Sequence, residues 1–524
     1  MTRPKPADLD AVLATLSAEA LREVVREVLF ELDDRAQARV VGSVIARAAR
    51  SGSGWAPAVV SEEQVAEVLA FVKAAERIGR ADPSEVDEYL RRGAMAFLGK
   101  DYASAHRIFS ALLPPIGDGT IDLGQHELVD EVLGADVQEC AALHLVSAYM
   151  VAPATERADA VREAIDEVRG VGHFWEPLRE MERVAVEPLP DLKDFLPQWR
   201  ALLASKPAAG RSRDRDTDTE EDRWLREVVQ RLDGAEGLAN VARSTRRADD
   251  LRAWCKSLVE VGDWKAALTA FAEAAELVSG REYALGEFLD GAALAAQCLG
   301  REDVAVYLER AWRTIPSMSR LRRWLGSSKR EATFRKRVAE ALEACPKDAS
   351  RQRALLHVLS HDFASAAKLL AIAPGLGWSF GEHPGRLLFP LFARLLEGHE
   401  RKTPAEHRVL DLGELEAVSP EPGGPRLVTP DVDALLAQAR VDDISDATSR
   451  RAVLAAMKNA AENRLAGVTD QKRRRQYGHA SELVAACVAC DASSETARWA
   501  AALKQDYRRF PALREALERA IGTS

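Results

Sequence analysis

Residues 377–381 read GWSFG, the G-x-S-x-G spacing of a nucleophile elbow. That motif works when a strand-to-helix turn strains the serine and exposes its hydroxyl. Asp411 and His399 or His407 follow Ser379 in the chain and could serve a hydrolase as acid and base. However, the preceding LLAIAP continues a helical pattern that Pro374 and Gly375 end, and no parallel-sheet pattern surrounds it. The segment therefore reads as a loop anchored by Trp378 and Phe380. Cys487 and Cys490 form a C-x-x-C inside an apolar run. A structural zinc site needs four ligands, usually from two such pairs. A reactive thiol needs an electropositive helix start. Neither is present, so the pair reads as core packing. GAMAFLGKD at 93–101 has one residue too many between its glycines for a phosphate loop, and Asp101 stands where Ser or Thr should hold magnesium. The ten histidines are scattered, and His126, His144 and His173 read as capping or packing residues. No residue is assigned a catalytic or metal-binding role, and no cofactor is expected.

The other chemistry-bearing feature is positive charge. SRLRRWLGSSKREATFRKR at 319–337 holds Arg320, Arg322, Arg323, Lys329, Arg330, Arg335, Lys336 and Arg337 against one acid, Glu331, with Trp324 and Phe334 interleaved. These cations and Trp324 are the candidate partner-binding residues. An acidic protein surface is the first partner such a stretch fits. Nucleic-acid phosphates and bases are the second. KRRR at 472–475 is a smaller basic cluster. The whole chain carries a net charge of −10, so a nucleic-acid role would rest on such a local patch.

These residues must be held by helices. Ala, Leu, Glu and Arg dominate, aromatic residues make up 6%, and few stretches alternate as strands do. Leu21, Val24, Val25, Val28 and Leu29 recur at helical spacing after Ser17, and Ser61 opens another helix with acids in its first turn. A chain of 524 residues exceeds one core. The pattern divides it into an N-terminal helical module (1–204), a charged flexible linker (205–223), helical repeats (224–373), a proline-rich insertion with a short strand at 426–428 (374–430), and a C-terminal helical module (431–524). The linker, SKPAAGRSRDRDTDTEEDR, has no large apolar side chain to offset ordering entropy. Six irregularly placed cysteines fit a reducing compartment. The opening MTRPKPADLD has no apolar core of a secretory signal, and no apolar run is long enough to span a bilayer. The expected place is a bacterial cytoplasm, with no membrane partner.

A helix-turn-helix pattern recurs. Tyr102, Ala105 and Phe109, preceded by Gly93 and Gly99, keep the offsets of Trp264, Ala267 and Phe271, which Gly262 precedes and Ala274 follows. Ala292, Leu308, Ala311 and Pro316 follow in part, as do Ala354, Phe363, Ala366, Leu370 and Ala373. Small residues suit close helix crossings, an aromatic fills the groove, and glycine ends the first helix. These stretches resemble tetratricopeptide repeats, which implies an all-α, solenoid-like stack of hairpins that binds protein in a concave groove. The C-terminal segment, through Arg475, Tyr477, Ala480, Leu483, Trp499, Leu503, Tyr507, Arg508, Arg509, Ala512 and Leu513, resembles the helical tail of bacterial SWIM zinc-finger proteins. It lacks their zinc motif, so the likeness implies no metal. The expected function is a non-enzymatic protein-binding adaptor or regulatory scaffold. The alternatives are a nucleic-acid-associated regulator using 320–337, a switch cleaved near 205–223, and a serine hydrolase at 377–381.

Overall fold

The computed structural model describes residues 6–51, 57–126, 128–205, 218–278, 282–379, 381–397 and 424–522. These form twenty-five α-helices, and no strand occurs among the described residues. One isolated bridge joins Arg80 and Asp122. No described helix is long and apolar enough to cross a membrane. The chain divides into two compact units, Met1–Ala253 and Trp254–Ser524.

In the first unit the expected helix starts are capped by the serines. Ser17 accepts from the Ala20 N–H at 3.1 Å, and Ser61 forms a reciprocal box with Gln64. The Val137–Val151 helix is buried nearly all round and runs through the core. The Ala18–Glu31 helix differs: it buries no residue. Of the charged stretch read as a linker, 206–217 lies outside the described residues. Its end is helical, because Thr219 and Asp222 form the capping box of Glu220–Thr245. That helix returns to the same core. Trp224 is buried against Trp199, ring centroids 6.3 Å apart, and donates to the Phe174 carbonyl at 2.8 Å.

The four hairpins share a turn. Its left-handed residue is Lys100, Gly262, Gly300 or His361, with φ of 64°, 73°, 63° and 61°. Asp101, Asp263 and Asp362 then cap the second helix, accepting from the third N–H on at 3.0–3.1 Å. In the third hairpin Asp303 instead pairs with Arg301 at 2.7 Å. Gly99 ends the first helix as its C-cap with φ −78°, and the left-handed residue is the next one, Lys100. The close crossings are real: a Cβ on Gly93 would lie 2.8 Å from the Phe109 ring, and one on Gly291 would lie 2.3 Å from Phe271. The groove-filling ring is thus the later aromatic; Tyr102, just after the turn, packs edge-on to Phe97 at 5.3 Å.

The segment expected as an insertion contains the Gly385–Glu397 helix, with Pro390 inside it. Residues 424–430 belong to no helix or strand. Where a short strand was expected, the Gln297 side-chain amide pairs with the backbone as a neighbouring strand would. It donates to the Arg426 carbonyl at 2.8 Å and accepts from the Val428 N–H at 3.0 Å. Residues 398–423, with His399, His407 and Asp411, lie outside the described residues, as does Phe380.

Candidate functional site

The basic stretch separates into two sets of cations. The Met318–Gly326 helix turns Trp324 inward, 1% exposed and stacked on Trp312 at 5.1 Å. Arg320 grips Asp290 through Nε and Nη2 at 3.0 and 2.7 Å and donates to the Ile315 carbonyl. Arg322 is buried and donates to the Pro430 carbonyl at 2.7 Å. Arg323 donates to Thr429 Oγ1 at 2.8 Å, with Asp290 3.5 Å away. Arg337, from Glu331–Ala344, donates to the Trp324 carbonyl and to Ser327 Oγ. These four arginines join helices and lock 429–430 in place. The second set faces solvent. Arg335 and Lys336 make surface pairs with Glu331 and Glu340 at 2.5 and 3.6 Å. Lys329 and Arg330 are exposed and, among the described residues, enter no ion pair.

A second site lies elsewhere in the same unit. Leu376, Gly377, Trp378, Ser379, Arg386, Arg464, Arg473, Gln476 and His479 line a cavity of about 410 Å³. Two segments noted in the sequence meet here, GWSFG and KRRR. The 374–379 loop is pinned at several points. Arg464 Nη1 donates to the Gly375 carbonyl at 3.1 Å, and Asn463 Nδ2 donates to the carbonyls of Ala371 and Ala373. Gly375 is required, since a Cβ there would sit 1.8 Å from the Asn463 carbonyl oxygen. Trp378 is packed between the His383 and His479 rings, at 4.9 and 5.3 Å.

The electrostatics of this cavity are one-sided. No Asp or Glu is among its lining residues. Arg464 is 4% exposed, and its remaining bond is from Nη2 to Gln476 Oε1 at 2.8 Å. Burial and the nearby Arg473 charge pull its guanidinium below the usual value. Burial, with the Arg464 charge, pulls the His479 imidazole down to about 4. Among the described residues the buried polar atoms Arg464 Nε, Trp378 Nε1 and His479 Nδ1 meet no hydrogen-bond partner.

Ser379 is exposed on the rim of this cavity. Among the described residues no hydrogen bond joins it to a histidine. His383 uses both ring nitrogens structurally, Nε2 toward the Pro374 carbonyl at 2.9 Å and Nδ1 toward the Gly385 N–H at 3.1 Å. Cys487 is fully buried, and burial pushes its thiol well up. Cys490 Sγ lies 3.7 Å from the Ala393 carbonyl. No group of three or more potential metal ligands converges among the described residues.

Sequence reading missed Arg386, Arg464 and His479. One signal was available. Val453, Met457, Ala460, Ala461, Leu465 and Val468 form the buried stripe of Ala447–Asp470, and Arg464 falls within it by the same spacing. A charge inside an apolar stripe marks an unusual environment. No family model matches the chain, and no curated protein or solved structure is similar to it.

Proposed function

We propose that this protein is a non-catalytic, cytoplasmic protein-binding scaffold, built from tetratricopeptide-like hairpins, whose partner presents an acidic surface. The observation that carries this reading is the division of the basic stretch. Four of its arginines are consumed in joining helices, while Lys329, Arg330, Arg335 and Lys336 stand in solvent along a single turn and the helix it opens. Exposed cations on a rigid helical frame steer and orient an acidic partner. The hairpin turns and glycine–aromatic crossings support a stacked-repeat frame. Nucleic acid remains the second reading, resting on the same cations without an exposed stacking ring, since Trp324 is buried.

The test separates recognition from folding. Charge reversal at Lys329, Arg330 and Lys336 should leave the melting temperature within about 2 °C, because exposed substitutions cost little. A partner recovered from the native host should re-form a complex from the two purified components on a sizing column. The triple variant should abolish that complex. An unchanged complex overturns the reading, and binding to RNA or DNA that falls steeply with salt favours the second one. Reversal at Arg322 or Arg323 is unsuitable, because both hold the fold.

A further inference from the structure

We propose that the cavity beneath the 376–379 loop is a binding site for the phosphate group of a small phosphorylated molecule. Arg386, Arg464 and Arg473 come from the Gly385–Glu397 helix, the Ala447–Asp470 helix and the turn after it, and all three line one space with no acid. Elsewhere in this unit Arg320 has a counter-ion in Asp290, while Arg337 and Arg450 are satisfied by neutral oxygens. Arg386 and Arg473 enter no ion pair among the described residues. Of the three only Arg464 is buried, and among the described residues it meets the neutral oxygens of Gly375 and Gln476 and no carboxylate. Burial of a cation without a counter-charge is disfavoured, and an anionic ligand in the cavity would supply that charge.

The lining is also rich in donors. The Arg464 Nε–H and the Trp378 Nε1–H are buried and unsatisfied among the described residues. Gln476 gives its carbonyl to Arg464, which leaves its amide N–H₂ as a further donor. Two helix N-termini add positive potential, since Arg386 is the second residue of Gly385–Glu397 and His479 the third of Tyr477–Cys490. A carboxylate offers one charge and two oxygens, enough for a single guanidinium fork. A phosphate monoester offers nearly two charges and three terminal oxygens, which matches three guanidiniums and an indole N–H. Size favours a small molecule over a nucleic-acid strand. The deepest cation, Arg464, is 4% exposed, and the Trp378 ring faces histidines, so no base can stack on it.

The experiment uses the full chain in phosphate-free buffer at fixed ionic strength. Titration calorimetry and thermal melts are run with inorganic phosphate, phosphoserine, serine and a single-stranded oligonucleotide. Phosphate and phosphoserine should bind and raise the melting temperature, while serine should do neither. Arg386→Gln and Arg473→Gln should each weaken phosphoserine about tenfold or more, as loss of a charge-assisted contact does. Neither variant should melt lower without ligand, since neither side chain holds another residue. The proposal is overturned if phosphate and phosphoserine fail to bind at about 10 mM, or if both variants bind as the parent does. It is also overturned if the oligonucleotide alone binds through Arg473.

Discussion

Arg464 shows how one residue can set the character of its surroundings. It sits where Leu or Val would complete the stripe of its helix, and it holds the loop through Gly375 and the turn through Gln476. Burial, with the Arg464 charge added to it, lowers the His479 imidazole to about 4 against an ordinary 6.5. The sign of the resulting pH dependence follows. Above 6.5 the imidazole is neutral whether the chain is folded or not, and it has no effect. Below 6.5 the unfolded chain takes up a proton that the folded chain refuses until about 4, so stability falls across that window. His479→Phe keeps the edge-on packing with Trp378 and removes the titration. Relative to this variant, the parent should lose about 2 kcal/mol between pH 7.5 and pH 5, from one proton over about 1.5 pH units. Urea unfolding at both pH values, without phosphate, measures it; parallel pH profiles would show that the imidazole is not shielded. The participating residues were legible only in pieces. GWSFG and KRRR drew notice, one for nucleophile chemistry and the other for charge, but nothing local shows that they share a cavity with Arg386 and Arg464. That juxtaposition is made by packing between segments far apart in sequence.

Helices were far more legible, because their determinants are local. Ser17 and Ser61 cap where their spacing required, and Gly93 and Phe109 meet as small and large residues at a crossing should. The turn was less legible. Lys100 and His361 adopt the left-handed region that glycine takes in the sister turns, although a side chain disfavours it. Periodicity also misjudges how much a helix contributes. Ala18–Glu31 has a clear apolar stripe, yet Val24, Val25 and Val28 are 39%, 44% and 50% exposed. Val137–Val151 has almost no polar face and buries eleven residues. Local opening is opposed by buried contacts. Hydrogen exchange should therefore find the backbone amides of Ala18–Glu31 exchanging at least about a hundredfold faster than those of Val137–Val151, a gap of about 3 kcal/mol. Equal protection would mean that the Ala18–Glu31 stripe is covered in solution, by a second copy or by some other surface.

At the scale of the chain, composition locates the charged stretch and says nothing of what its two ends do. A segment without apolar side chains reads as a boundary between cores. Here the residues after it return to the core they left. Trp224 lies against Trp199, Arg162 sits over the Trp224 ring and pairs with Glu221 at 3.0 Å, and Glu227 accepts from the Leu178 and Arg179 N–H groups. A buried tryptophan withdraws roughly 150–250 Å² from water, worth roughly 4–6 kcal/mol at about 25 cal/mol per Å². Two such rings in one stack, with the ion pair and the capped backbone, are enough to hold a severed chain together. Cleavage within 205–223 should therefore leave a nicked protein, with both fragments eluting together on a sizing column under native conditions and separating only in denaturant. Substituting Trp224 by Ala should change that outcome, because the helix beyond the cut then loses its main anchor: the fragments should part without denaturant. Fragments of the parent protein that separate spontaneously would show that the stretch joins two independent bodies after all. A cleavage-controlled switch would then act by release, whereas a nick that leaves the core intact can act only by freeing the cut ends.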